Sequence, residues 1–196
     1  MNLRSLRLEE VKLLTPRRFD DERGWFSETY NSKTLSNFGF DFTFVQDNQS
    51  LTYDIGVIRG LHFQDPPHAQ TKLLRVLRGR IFDVVVDIRK GSPGFGQFVV
   101  IELSAEDGSA ILVPEGFAHG FMSLEAQTEV LYKVSHFYAP EAEGGINALD
   151  PDLNIPWPLD RVGGRSVAFL SARDAAFPNL RELPLAFIYS ERKMET

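Results

Sequence analysis

The stretch TKLLRVLRGRIFDVVVDI, residues 71–88, decides the architecture. In its second half Phe82, Val84, Val86 and Ile88 share one face while Asp83 and Asp87 lie on the other, which is the period of two of a β-strand. In its first half the same period puts Lys72, Leu74 and Val76 on one face and Leu73, Arg75 and Leu77 on the other. Both of those faces are largely apolar, so this strand is expected to be covered on two sides, with Lys72 sharing a face with buried residues. Gly79 stands between the halves, and residues 72–77 and 81–88 are expected to form a β-hairpin with a short turn.

Working outward, the strand signal repeats. GQFVVIELS (96–104) reads as a strand and AEDGS (105–109) as a turn. AILVPEGFAHGFMSL (110–124) reads as two strands broken at Pro114, Glu115 and Gly116. TEVLYKVSHFY (128–138) closes the series, with Val130, Tyr132, Val134 and His136 on one face. The best short helix is NSKTLSNFG (31–39), and LSARDAAF (170–177) is expected to start another. NIPWPLDRVGGRS (154–166) reads as a surface loop leading to a C-terminal appendage. Many short strands with turns every ten residues or so predict a mainly β fold, an antiparallel sandwich or small barrel. With no repeat, low-complexity stretch or linker, residues 1–196 are expected to form a single domain, with one pocket in the barrel mouth.

Composition narrows the function classes. The chain has 196 residues, 43% hydrophobic and 12% aromatic, enough for a real core. A net charge of -6 argues against general binding of nucleic acid or anionic membranes, although a local arginine cluster can still hold a small phosphate ligand. The absence of cysteine removes thiolate chemistry and disulfides. The N-terminus has no apolar signal core, and no apolar run is long enough to span a bilayer, so a soluble, cytoplasmic protein is expected.

VIRGLHFQDPPHAQTK, residues 57–72, holds two of the four histidines and ends on Lys72. Lys72 reads either as a snorkelling lysine at a strand end or as a cation at the rim of an apolar cavity, able to stabilise an oxyanion. His62 reads as a satisfied core histidine, a metal ligand or a general base. Histidine metal sites on barrel strands usually pair two histidines one residue apart, and two after His62 stands Gln64. A site drawn from His62, His68, His119 and His136 is therefore poorly supported, and a base beside a lysine is the sharper reading.

Eight blocks in register carry a family resemblance: FDDERGWFSETYN, FVQDNQS, VIRGLHFQ, AQTKLLRVLRGRIFDVVVDIRKGSPGFGQ, VPEGFAHGF, VLYK, YAPEAEGGI and FLSARDAAFP. From about Phe19 to Pro178 the chain resembles the dTDP-4-dehydrorhamnose 3,5-epimerases, cofactor-independent sugar-nucleotide epimerases with a metal-free cupin barrel. The resemblance implies a jelly-roll β-barrel, a homodimer, and epimerisation of a dTDP-linked 4-keto-6-deoxy sugar without metal or other cofactor. It implies His62 as the base, Asp174 as its carboxylate partner, Lys72 as the group that stabilises the enolate, and Tyr132 as the acid on the other face. It implies substrate contacts from Arg23, Glu28, Gln46, Asn48, Arg59, His119, Tyr138, Glu143 and Arg173. Taken alone, Tyr132 reads as a core tyrosine, Asp174 as a surface or cap residue, and Glu143 and Arg173 as solvated charges.

Two details stand out against that pattern. Strict alternation would put Arg59 and His62 on opposite faces, so Gly60 is expected to bend or bulge the strand. Family members usually read GIRWNDP or close to it where this chain has GINALDP, and Asn147, Ala148 and Leu149 put substrate fit beside Glu143 in question. The rival functions are a one-carbon epimerase of a related sugar nucleotide, a metal-dependent oxygenase, and a binding module without turnover.

Overall fold

The structure, a computed structural model, describes residues 1–162, 169–184 and 186–190. The strands are β1 (Asn2–Ser5), β2 (Lys12–Thr15), β3 (Arg18–Asp21), β4 (Gly24–Ser27), β5 (Gln46–Thr52), β6 (Ile58–Gln64) and β7 (Lys72–Arg78). They continue as β8 (Arg80–Asp87), β9 (Phe98–Ser104), β10 (Ala110–Val113), β11 (Phe117–Ser123), β12 (Thr128–Val134) and β13 (Glu143–Gly145). One sheet has the order β1-β2-β10-β7-β12-β5, a second has β13-β6-β11-β8-β9, and β3 with β4 forms a separate hairpin. All their pairings are antiparallel.

The expected hairpin of residues 72–77 and 81–88 does not form. β7 pairs with β10 and β12 in the first sheet, while β8 pairs with β11 and β9 in the second. Gly79, at φ +76°, turns the chain from one sheet into the other, and a Cβ there would fall 2.4 Å from Thr128 Oγ1. The two apolar faces of the strand explain this outcome: each of β7 and β8 is a central strand, with neighbours on both edges and packing on both faces.

Between the sheets lie Leu74, Val76, Ile81, Val85, Ile111, Phe117, Phe121 and Val130. The outer face of the second sheet, with Phe82, Val84 and Val86, is covered by residues after β13, including Ile146, Ala148, Ile155 and Trp157. The outer face of the first sheet carries Leu73, Ala110 and Leu112, and Leu35 packs there with Tyr30, Phe40, Phe42 and Phe44. Leu35 sits in α1 (Ser32–Asn37), the one α-helix among the described residues, capped by the Asn31 side chain.

Three local expectations change. LSARDAAF makes only a 3-10 turn, Asp174–Ala176, ended by Phe177, which stands before Pro178 and is extended. The described part of NIPWPLDRVGGRS is no plain surface loop: Ile155, Trp157 and Val162 are buried, and the indole N–H donates to Ala148 O at 2.7 Å. Residues 163–166 of that stretch, and Leu185 with residues 191–196 of the C-terminal tail, lie outside the described residues. β12 ends at Val134, so His136 leaves the strand face and stacks edge-on against His68, ring centres 4.9 Å apart.

Candidate active site

A cavity of about 660 Å³ opens between the sheets. All the expected site residues line it except Arg23 and Glu28. Those two sit on and just after the β3–β4 hairpin, where Arg23 pairs with Asp21 at 2.6 Å and Glu28 accepts from Asn31 Nδ2 at 3.1 Å. His68 and His136 do not line the cavity either. Among the described residues no three side chains able to bind a metal converge.

The strand carrying His62 is irregular in the way Gly60 suggested. His62 pairs with His119 and Arg59 with Phe121, so two residues of β6 oppose Gly120 alone. This bulge brings Arg59 and His62 to the same cavity. Gly60 takes φ +121°, and its amide donates to Asp174 Oδ2 at 3.3 Å.

His62 Nε2 lies 2.8 Å from Asp174 Oδ1. An ionised carboxylate only accepts, so Nε2 carries the proton of this bond. Burial pushes the Asp174 carboxyl up, but the hydrogen bond and charge of His62, the Gly60 amide and Ser171 together bring it below the ordinary value. Ser171 Oγ accepts from the Asp174 amide at 3.0 Å, which fixes the turn.

Lys72 is half-buried in the cavity wall, and its Nζ donates to His62 O at 3.2 Å. Burial pulls its pKa down to about 8, against the opposing charges of Glu143 and Asp83. Tyr132, on β12 of the facing sheet, is pushed up by burial and by Glu143, with Arg59 acting the other way. His119 is buried and its Nε2 donates to Asp83 Oδ2 at 2.8 Å.

At the rim, Glu143 Oε2 accepts from Tyr138 Oη at 2.9 Å and from Arg173 Nη1 at 2.6 Å. Gln46 Nε2 donates to Asn48 Oδ1 at 2.8 Å, and Gln46 Oε1 accepts from the Tyr138 amide. Arg59 donates to Thr52 Oγ1 at 3.0 Å and to Leu51 O at 3.3 Å.

Asp83 and Ser171 were not singled out from the sequence. Asp83 had a usable signal: an acid on the same face as Ile81 and Val85 needs a buried partner. Ser171 had none beyond its position three before Asp174. The departure at Asn147, Ala148 and Leu149 does not reach the cavity, since none of the three lines it. Ala148 is buried in the outer core instead.

The family model for dTDP-4-dehydrorhamnose 3,5-epimerase matches residues 5–182. The enzyme of that name from Sinorhizobium fredii is 47% identical over 189 residues, 96% of this chain and 94% of the relative. The crystal structure of a Legionella pneumophila dTDP-6-deoxy-D-glucose-3,5-epimerase in complex with dTDP-4-keto-L-rhamnose superposes with a TM-score of 0.89 at 41% identity, covering 96% of this chain and 98% of that one. A 3'-monoepimerase from Streptomyces bikiniensis in complex with dTDP-quinovose gives a TM-score of 0.82 at 35% identity, over 90% and 87% of the two chains. On the match of its sequence over most of its length and of its two-sheet barrel, this chain belongs to the dTDP-4-dehydrorhamnose 3,5-epimerase family of cupin-type isomerases.

Proposed function

We propose that this protein converts dTDP-4-keto-6-deoxy-D-glucose to dTDP-4-keto-L-rhamnose by inverting carbons 3 and 5. The observation that carries this reading is that the His62–Asp174 pair, on the β6 side, and Tyr132, on β12, line one cavity from different sheets. Inversion next to a ketone needs a proton taken from one face, a held enolate, and a proton returned to the other face.

His62 removes the proton from the carbon beside the ketone, and the C–H electron pair moves into the enolate. Asp174, held anionic, stabilises the imidazolium that forms. Lys72, protonated at neutral pH with a pKa near 8, donates to the enolate oxygen. Tyr132 keeps its proton at neutral pH, as an acid must, and delivers it to the opposite face. The His62 imidazolium then gives its proton to solvent and the Tyr132 phenolate takes one back, and the same steps at the second carbon complete the reaction, with the ketone as the electron sink and no cofactor consumed. His119, tied to Asp83, lines the sugar end of the cavity. Arg59 and Arg173 bind the diphosphate, Gln46 and Asn48 contact the nucleoside, and Tyr138 stacks on its base.

Arg23 and Glu28 fit this scheme only through a homodimer. Their hairpin projects with Phe19, Trp25 and Phe26 at 50%, 55% and 70% exposure, an apolar surface suited to a second copy. In that arrangement they reach the partner's cavity. Nucleoside diphosphate sugars are intracellular compounds, so the proposed place of action is the cytoplasm.

A one-carbon epimerase is the second reading, favoured by the similarity to the 3'-monoepimerase. Turnover in heavy water separates the two. Deuterium at two carbons of the product supports the proposal, deuterium at one supports the rival, and unlabelled substrate with no product overturns both.

A further inference from the structure

His62 and Asp174 come from segments far apart in sequence, and their own hydrogen bond does not determine how those segments meet. The segments touch directly where the Ile58 amide donates to Phe169 O and the Gly60 amide to Asp174 Oδ2, and a further short stretch, residues 145–150, is bonded to both. On one side Gly145 pairs with His62, and Ile146 exchanges backbone hydrogen bonds with Leu61. On the other, the Asn147 amide donates to Pro178 O at 2.8 Å and its Nδ2 donates to Asn179 Oδ1 at 3.0 Å. The buried Asp150 then accepts from the Leu180 amide at 2.8 Å.

Phe177 closes the arrangement. It lies directly after the turn that begins at Asp174, and its amide points back to Asp174 O. Its ring meets the His62 imidazole edge-on, centres 5.7 Å apart. The same ring lies on Gly145 so closely that a Cβ there would come within 2.4 Å of it. The imidazole is thus held by the Asp174 carboxylate and by an aromatic ring, both presented by one turn. Phe177 does not line the cavity, and the cavity side chain its ring faces edge-on is His62.

We propose that residues 145–150 and Phe177 form a bracket that keeps Asp174 in register with His62, with Phe177 and Asn147 as positioning residues of the pair. Asn147, where this chain departs from its family, then acts on the segment carrying Asp174 and not on substrate fit. The kinetic part of this inference rests on His62 being the base of the proposed reaction; the geometric part does not.

Misplacing a catalytic group by about an ångström costs on the order of 100-fold in rate. Phe177→Ala should therefore lower turnover and deuterium wash-in at both carbons by the same factor, roughly 10- to 100-fold, with KM within about twofold of the parent. Asn147→Ala should act in the same direction and less. In an Asp174→Ala background Phe177→Ala should cost clearly less than in the parent, because no carboxylate remains to be held in register and only the ring contact with the imidazole is lost. An equal loss in both backgrounds, or unchanged turnover, overturns the proposal.

A second measurement needs no turnover. The parent should show a downfield imidazole N–H proton resonance that His62→Gln removes, and Phe177→Ala should broaden or abolish it while unfolding stays cooperative. A parent without that resonance, or a Phe177→Ala protein that retains it unchanged, overturns the bracket. Should the parent fail to epimerise the sugar, the function falls and this resonance still decides the bracket.

Discussion

Gly60 and Gly120 lie back to back where β6 crosses β11: a Cβ on Gly60 would come 2.7 Å from Gly120 Cα, and one on Gly120 would come 2.7 Å from Arg59 O. That close approach accompanies the bulge that turns both Arg59 and His62 into the cavity. Gly60→Ala adds a backbone clash to a left-handed φ, and should cost at least about 2–3 kcal/mol of stability. Urea unfolding of the variant checks this. A variant as stable and as active as the parent would show that the crossing relaxes freely.

Lys72 gives opposite pH trends in activity and stability. Its pKa is about 8 in the folded protein against 10.5 for the free group. Between those values the unfolded chain holds the proton and the folded chain has released it, so stability rises with pH through that window, by up to about 3 kcal/mol. Below about 8 the burial penalty on the charged lysine is fully present. Epimerisation should fall over the same window, because the enolate loses its cation. Lys72→Met should flatten the stability rise relative to the parent, and denaturant midpoints for both proteins across about pH 7 to 10 test it.

Tyr132→Phe separates the acid from the base. The ring and most of its packing remain, so the protein should stay folded. His62 can still remove a proton, and the enolate can take one back only on the original face. Product formation should drop by about two to four orders of magnitude while recovered, uninverted substrate still acquires deuterium. Parental product rates would remove Tyr132 from the mechanism, and loss of wash-in in a protein that still binds dTDP would place it in the deprotonation step.

Arg59→Ala should weaken dTDP binding by about one to two orders of magnitude, since charge-assisted phosphate contacts are worth roughly 1.5–3 kcal/mol. Titration calorimetry with dTDP reads this directly. Unchanged affinity would leave the Arg59 guanidinium as a tie to Thr52 and Leu51 and nothing more.

Strand positions were legible wherever the period of two was clean, as in residues 81–88, and so was the bulge, because Gly60 broke an alternation that two polar residues had to escape. The family pattern named the residues that line the cavity. It could not place Arg23 and Glu28, which sit on and just after a separate hairpin and do not line this chain's cavity.

By itself the sequence determined the mainly β architecture and the two-sided burial of residues 72–77. These follow from local rules, the alternation of side chains along a strand and the backbone freedom of glycine. Only the tertiary structure decided that β7 and β8 part company at Gly79, that Asp83 meets His119, and that residues 145–150 tie Asp174 to His62. Each of those depends on pairing between segments distant along the chain. The free energy of such pairing lies in whole faces packing together, a quantity that no single stretch of sequence contains.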